Sequence, residues 1–214
     1  MDPHGYTSGF SRNGHLLLMR HPQTVANEGH YYLGQLNAPL TELGVEQCAR
    51  AIAGIISWKP DRIITSPLDR CRAIAEPAAS ELSCPITVDD RIGELDFGPI
   101  EGKSTAEIYE AGLPLPWGDH ADDWPVEGAE SMEHFRARLA EAASSFAALD
   151  GRTAIVSHGG SIRGMLSYWL SVPGQHMWQI TLANVHSALV SVEDHETVYL
   201  ERLGLSPEQL GEFV

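Results

Sequence analysis

His15-Leu-Leu-Leu-Met19-Arg20-His21-Pro22 decides the fold. The apolar run is too short for a helix and stops abruptly at two polar residues and a proline. It therefore reads as a buried strand that delivers Arg20 and His21 at its carboxyl end. Thr153-Ala-Ile-Val156 repeats the pattern, running into Ser157-His158-Gly159-Gly160 and a helix. Arg62-Ile-Ile-Thr65 is a third such strand and stops at Ser66-Pro67. Between them the spacing predicts helices from Thr41, as N-cap, to about Trp58, from Leu68 to about Leu82, and from Ser131 to about Leu149. Pro77 should kink or end the second of these. Ile86–Val88 is a further short strand, 104–110 a short helix, and 187–192 with 197–200 a closing hairpin or edge strands. Strands alternating with helices give an α/β fold, a three-layer α/β/α sandwich around a mostly parallel sheet. Ligands bind at the carboxyl ends of such strands, where the two histidines fall.

The 214 residues fit one domain, here 15–214, with residues 1–14 expected as a loose tail. The Gly-, Pro- and acid-rich stretch 91–130 is too long for a plain connection and suggests a lid over the same sheet edge. No signal-peptide run or membrane span is visible, so a cytoplasmic location is expected. A formal charge of −15 argues against nucleic acid. It also means that an anion pocket must be built locally, from arginines and helix ends. Cys48, Cys71 and Cys84 are widely spaced and read as reduced packing thiols.

Arg20 beside His21, and Arg70 at the start of the helix after the third strand, supply forks that match phosphate oxygens two at a time. In six separated blocks the chain resembles the histidine phosphatase superfamily, the phosphoglycerate mutase-like group. The blocks are Arg20-His-Pro-Gln-Thr24 with Asn27; Leu40-Thr-Glu-Leu-Gly44 with Gln47; Ser66-Pro-Leu-Asp-Arg70; Glu94-Leu-Asp-Phe-Gly98 with Glu101-Gly102; Gly128-Ala-Glu-Ser131; and Ser157-His-Gly-Gly160 with Ile162-Arg163. The resemblance implies that His21 attacks phosphorus and forms a phosphohistidine. Arg20, Arg70 and His158 would hold the equatorial oxygens, and the cations would keep His21 unprotonated. Glu94 would protonate the leaving oxygen. Asn27 and the Gly159 N–H are weaker phosphate or substrate contacts. No metal and no cofactor are implied.

Other signals fail on spacing. Gly98 to Ser104 is one residue short of a nucleotide P-loop and follows no strand. The residues six after the cysteines are Gly54, Pro77 and Asp90, where a cysteine phosphatase needs arginine. Asp119, His120, Asp122 and Asp123 lack metal-ligand spacing.

Within the resemblance, the absence of Lys and Arg from 104–135 and the Leu-Asp-Phe-Gly sequence after Glu94 favour a phosphatase over a phosphoglycerate mutase. The expected function is hydrolysis of a small phosphorylated metabolite, in a chain compatible with a homodimer. Tyr31, Tyr32, Gln35 and Asn37 are placed to line the leaving-group side, and Trp117 and Trp124 to close over a substrate or to pack. Pro22 stands where the family usually has glycine, which raises a third reading, a phosphate-binding protein with weak catalysis.

Overall fold

The computed structural model describes residues 12–117, 122, 124 and 126–214, with Arg12 described by its backbone. Six strands form one sheet in the order β3-β2-β4-β1-β5-β6, comprising β1 (Arg12–Arg20), β2 (Arg62–Thr65), β3 (Ile86–Val88), β4 (Gly151–Ser157), β5 (Ser187–Glu193) and β6 (Thr197–Leu205). The first four in this order are parallel, and β5 and β6 add an antiparallel hairpin beside β1. The helices are α1 (Val25–Glu28), α2 (Glu42–Trp58), α3 (Asp69–Leu82), α4 (Thr105–Glu110), α5 (Met132–Ala147) and α6 (Gly159–Trp169). Among the described residues no helix is long and apolar enough to cross a membrane.

The run at 16–19 is wholly buried because β1 is covered on both faces. Leu16 and Leu18 face a core with Phe135 and Leu139 of α5 and Ile162 and Met165 of α6. Leu17 and Met19 face the opposite core with Ile55 and Trp58 of α2 and Ile74 and Ala78 of α3. Two-residue alternation along one strand thus sorts the chain into an α/β/α sandwich.

Four expectations are corrected or narrowed. The first strand begins at Arg12, so residues 12–14 belong to the sheet, not to a tail; residues 1–11 lie outside the described residues. Pro77 does not end α3, which continues to Leu82. Proline cannot donate to the carbonyl of Ala73, four residues back, and that carbonyl instead accepts the Cys48 thiol at 3.3 Å. Of the hairpin and edge strands expected, β5 and β6 form the hairpin, with β5 buried along its length between β1 and β6. Strand β6 extends to Leu205, five residues past the expected end.

Residues 91–117, expected to start a lid, send Ile92, Leu95, Phe97, Ile100 and Ile108 into the α5/α6 core.

The C-terminal turn 207–213 packs on α2 at Gly54, where a Cβ would stand 2.6 Å from the Pro207 carbonyl oxygen. Gly54→Val should therefore lower unfolding free energy by about 1–3 kcal/mol, read from the midpoint of a urea transition.

Candidate active site

Parallel register brings the predicted residues together. Arg20 of β1 lies beside Ser157 of β4, and Thr65 of β2 beside Val156, so three strands end on one level. The His21 N–H continues the ladder to Ser157 O at 2.9 Å, and the Ser66 N–H does so to Val156 O at 3.0 Å. His21, Ser66 and His158 thus leave adjacent strands on the same side, and the two imidazoles stand with ring centroids 5.3 Å apart.

The His21 side chain is 5% exposed, and its Nδ1 lies 2.7 Å from the carbonyl oxygen of Pro22. A carbonyl can only accept, so Nδ1 carries the proton and Nε2 keeps its lone pair. Burial, with Arg70 and Arg20 nearby, holds the His21 pKa well below the usual imidazole range. The loop bearing that carbonyl is tied down by the helix that follows. The Gln23 N–H donates to Gln47 Oε1 at 2.8 Å, Thr41 Oγ1 donates to Gln23 Oε1 at 2.8 Å, and Gly44 lets the Gln23 carbonyl approach where a Cβ would be 2.0 Å away. Pro22 contributes its carbonyl, a role that needs neither an N–H nor positive φ.

Arg70 is 2% exposed and donates from Nη1 to Leu36 O, from Nη2 to Gly34 O and from Nε to His158 Nδ1 at 3.2 Å. His158 Nδ1 is therefore the acceptor, and Nε2–H donates to Ser66 Oγ at 2.7 Å. Both ring nitrogens are engaged, so His158 links Arg70 to Ser66 across the site wall, with its ring beside that of His21. Its pKa too is driven well below the usual value, by burial and then by Arg70 and His21. Cys71 packs beneath, 3.5 Å from His158 Nε2, with its thiol pushed up to about 12 by burial, too high for a nucleophile.

The loop whose carbonyls receive Arg70 is shaped by Glu101. Its carboxylate accepts the N–H groups of Gln35 at 2.8 Å, Leu36 at 2.9 Å and Phe97 at 3.2 Å.

Glu94 reaches the N-terminus of α6. Its Oε2 accepts the Gly160 N–H at 3.0 Å, and a Cβ on Gly160 would lie 2.3 Å from Oε1. The backbone carrying Glu94 is held by Arg138, whose Nη1 donates to Arg91 O at 2.6 Å and Gly93 O at 2.7 Å, and whose Nη2 donates to Glu94 O at 2.9 Å. The remaining Arg138 donors meet Glu130 at 2.7 and 2.8 Å, so all five N–H groups of one guanidinium are used.

Arg20 donates from Nη1 to Leu182 O at 2.7 Å, while its buried Nε has no partner among the described residues. Gly159 adjoins it, since a Cβ there would be 3.4 Å from that Nε. Asn27 spends its amide oxygen on the α1 capping box with Thr24, leaving its NH₂ as the group able to donate to a ligand.

Of the residues expected on the leaving-group side, Tyr32 packs between Phe97 and Trp117, and Gln35 donates to the Glu94 carbonyl. Asn37 accepts the Asp69 N–H at the start of α3, and Tyr31 is exposed. Trp124 is a core residue, its indole N–H on Pro114 O. Asp119, His120 and Asp123 lie outside the described residues, and Asp122 pairs with Arg136 at 2.8 Å.

The segment 180–184 gave no signal in the sequence. Its carbonyls at Ile180 and Leu182 receive Arg163 and Arg20, and the Asn184 amide donates to His21 O at 3.0 Å.

The family model described as "Histidine phosphatase superfamily (branch 1)" matches residues 16–203. The chain belongs to this superfamily. A relative from Hydrogenobacter thermophilus named "Putative phosphoserine phosphatase 2" is 28% identical over 88% of this chain and 95% of its own. "Probable phosphoglycerate mutase GpmB" of Proteus mirabilis is 30% identical over 83% of this chain and 84% of its own. Among solved structures, a mycobacterial glucosyl-3-phosphoglycerate phosphatase in complex with VO3 superposes with a TM-score of 0.78 at 26% identity, over 92% of this chain and all of that one. For a member of the histidine phosphatase superfamily the six sequence blocks acquire a physical reading. Each supplies a residue of the site or a group that holds the backbone carrying one.

Two imidazoles buried neutral make stability depend on pH. Below about pH 6.5 the unfolded chain binds protons on both, and the folded chain, with both pKa values depressed, does not. Their contribution is complete above that pH and is lost as pH falls below it, by up to about 1.4 kcal/mol per unit for each group. Urea unfolding at pH 7.5, 6.5 and 5.5 should show this decline, and His21→Gln should make it shallower by about one proton.

Proposed function

We propose that this superfamily member hydrolyses a small phosphomonoester through a phosphohistidine at His21 Nε2. The observation that carries the reading is the Nδ1–H bond from His21 to the Pro22 carbonyl, which leaves Nε2 unprotonated in a site walled by Arg20 and Arg70. A phosphoryl group at Nε2 would meet the Nε of Arg20, which has no partner among the described residues, and the N-terminus of α6 at Gly159. Attack breaks the P–O bond to the alcohol as the N–P bond forms. Glu94 gives the departing oxygen its proton, then takes one from the water that cleaves the N–P bond and frees phosphate. Arg20 and Arg70 meet charge gathering on the equatorial oxygens, with Asn27 as a further donor and His158 holding Arg70 in place. No step calls for a metal. The lid expected over 91–130 would then cap the leaving-group side.

A mutase must hold a second phosphate, and the absence of lysine and arginine from 104–135 speaks against one. The mutase named among the relatives keeps that reading as the alternative. Pro22, which motivated the phosphate-binding reading, supplies the carbonyl that orients His21, which supports catalysis.

Incubation with a radiolabelled phosphomonoester should give an acid-labile, base-stable protein label, absent in His21→Ala. Glu94→Gln should lower kcat by about 10²- to 10⁴-fold. Absence of label and turnover in the parent, with phosphate still bound, would favour the binding protein. Formation of 2-phosphoglycerate from 3-phosphoglycerate, stimulated by the bisphosphate, would favour the mutase.

Gly160→Ala should displace the Glu94 carboxylate and cost about 100-fold in kcat, with KM nearly unchanged and the unfolding midpoint near that of the parent.

A further inference from the structure

Beside the phosphate locus lies a cavity of about 450 Å³ lined by Trp117, Arg163, Gln175, Trp178 and Gln179. Its link to the proposed centre is Arg163. A Cβ on Gly159 would stand 3.2 Å from Arg163 Nη1 and 3.4 Å from Arg20 Nε, so the two guanidiniums meet at the first residue of α6. Segment 180–184 anchors both, with Arg163 Nε donating to Ile180 O at 2.5 Å. The Arg163 guanidinium also lies 5.8 Å from the centroid of the Trp178 ring.

Three features define what the cavity takes. Both Nη groups of Arg163 lack a hydrogen-bond or ion-pair partner among the described residues, which leaves a fork of donors for an oxyanion. Trp117 and Trp178 meet edge to face at 5.6 Å and Tyr32 packs behind Trp117 at 5.4 Å, a firm aromatic wall suited to a ring. Gln179 uses its amide NH₂ on His176 Nδ1 at 3.0 Å, leaving its carbonyl as an acceptor toward a hydroxyl.

We infer that this cavity is the leaving-group subsite and that it selects phosphomonoesters of ring-bearing hydroxy acids. Arg163 grips a carboxylate close to the ester oxygen, and Trp117 and Trp178 pack on the ring. A single arginine matches the single charge of a carboxylate better than the near-double charge of a second phosphate. The inference rests on the phosphatase reading and deepens it.

The test compares 2-carboxyphenyl phosphate, phenyl phosphate and 3-phosphoglycerate, which carry both features, the ring alone and the carboxylate alone. The parent should favour 2-carboxyphenyl phosphate over phenyl phosphate in kcat/KM by about 10- to 100-fold, the worth of a charge-assisted hydrogen bond. Arg163→Gln should bring that ratio near one, and Arg163→Lys should restore part of it. Trp178→Ala should raise KM for 2-carboxyphenyl phosphate while leaving that for 3-phosphoglycerate nearly unchanged. Hydrolysis of all three esters with no preference, or a preference that survives Arg163→Gln, would overturn the subsite and leave the phosphatase standing. Equal losses on 2-carboxyphenyl and phenyl phosphate in Arg163→Gln would assign Arg163 to the phosphate itself and overturn the carboxylate role. A parent that hydrolyses none of the esters and takes no label at His21 would overturn the phosphatase reading and the subsite with it.

Discussion

The hydrogen bond from His21 Nδ1 to the carbonyl of Pro22 is the interaction on which the rest of the centre depends. It spans adjacent residues, so it forms only if the chain turns sharply as it leaves β1. Most of the neighbouring structure enforces that turn. Gln47 and Thr41 hold Gln23, Gly44 gives its carbonyl room, and Asn184 holds the His21 carbonyl from the other side. A neutral imidazole with a fixed tautomer follows from the turn, and burial among arginines keeps it neutral.

The second layer follows a common plan. Arg138 and Glu130, both nearly buried, hold the backbone of 91–94. Glu101 holds the loop at 35–36, and that loop together with His158 holds Arg70. A buried ion pair earns little stability by itself, because desolvation offsets attraction. Here the pair also satisfies three main-chain carbonyls, which makes it a clamp for a segment without regular structure.

Much of the fold was legible because buried parallel strands have a strong signature. The runs at 16–19, 63–64 and 154–156 each end at a polar residue, and parallel register then forces those ends together. The misreadings have specific physical causes. Pro77 looks like a breaker because a sequence does not show that a cysteine from α2 will occupy the freed carbonyl. Thr197 to Leu205 lost its signal where alternation weakens on an exposed edge. His21, Arg20 and Arg70 were legible as types at strand or helix ends, and Glu94 only through the block to which it belongs. The engaged ring of His158 was not, since tautomers follow from partners, and those partners are dozens of residues away in the chain. Arg163 was legible only as a member of a block, without a task.

Segment 180–184 holds Arg163 and Arg20 by main-chain carbonyls, at Ile180 and Leu182. A carbonyl is the same in every residue, so these two anchors survive almost any exchange of the side chains that carry them. The stretch just before it, with Gln175, Trp178 and Gln179, lines the cavity beside the centre. Catalytic geometry and the cavity wall therefore draw on different atoms of one continuous stretch. Substitution along it can reshape the wall while the reactive groups stay in place, which gives the scaffold a route to new substrates that does not pass through an inactive protein.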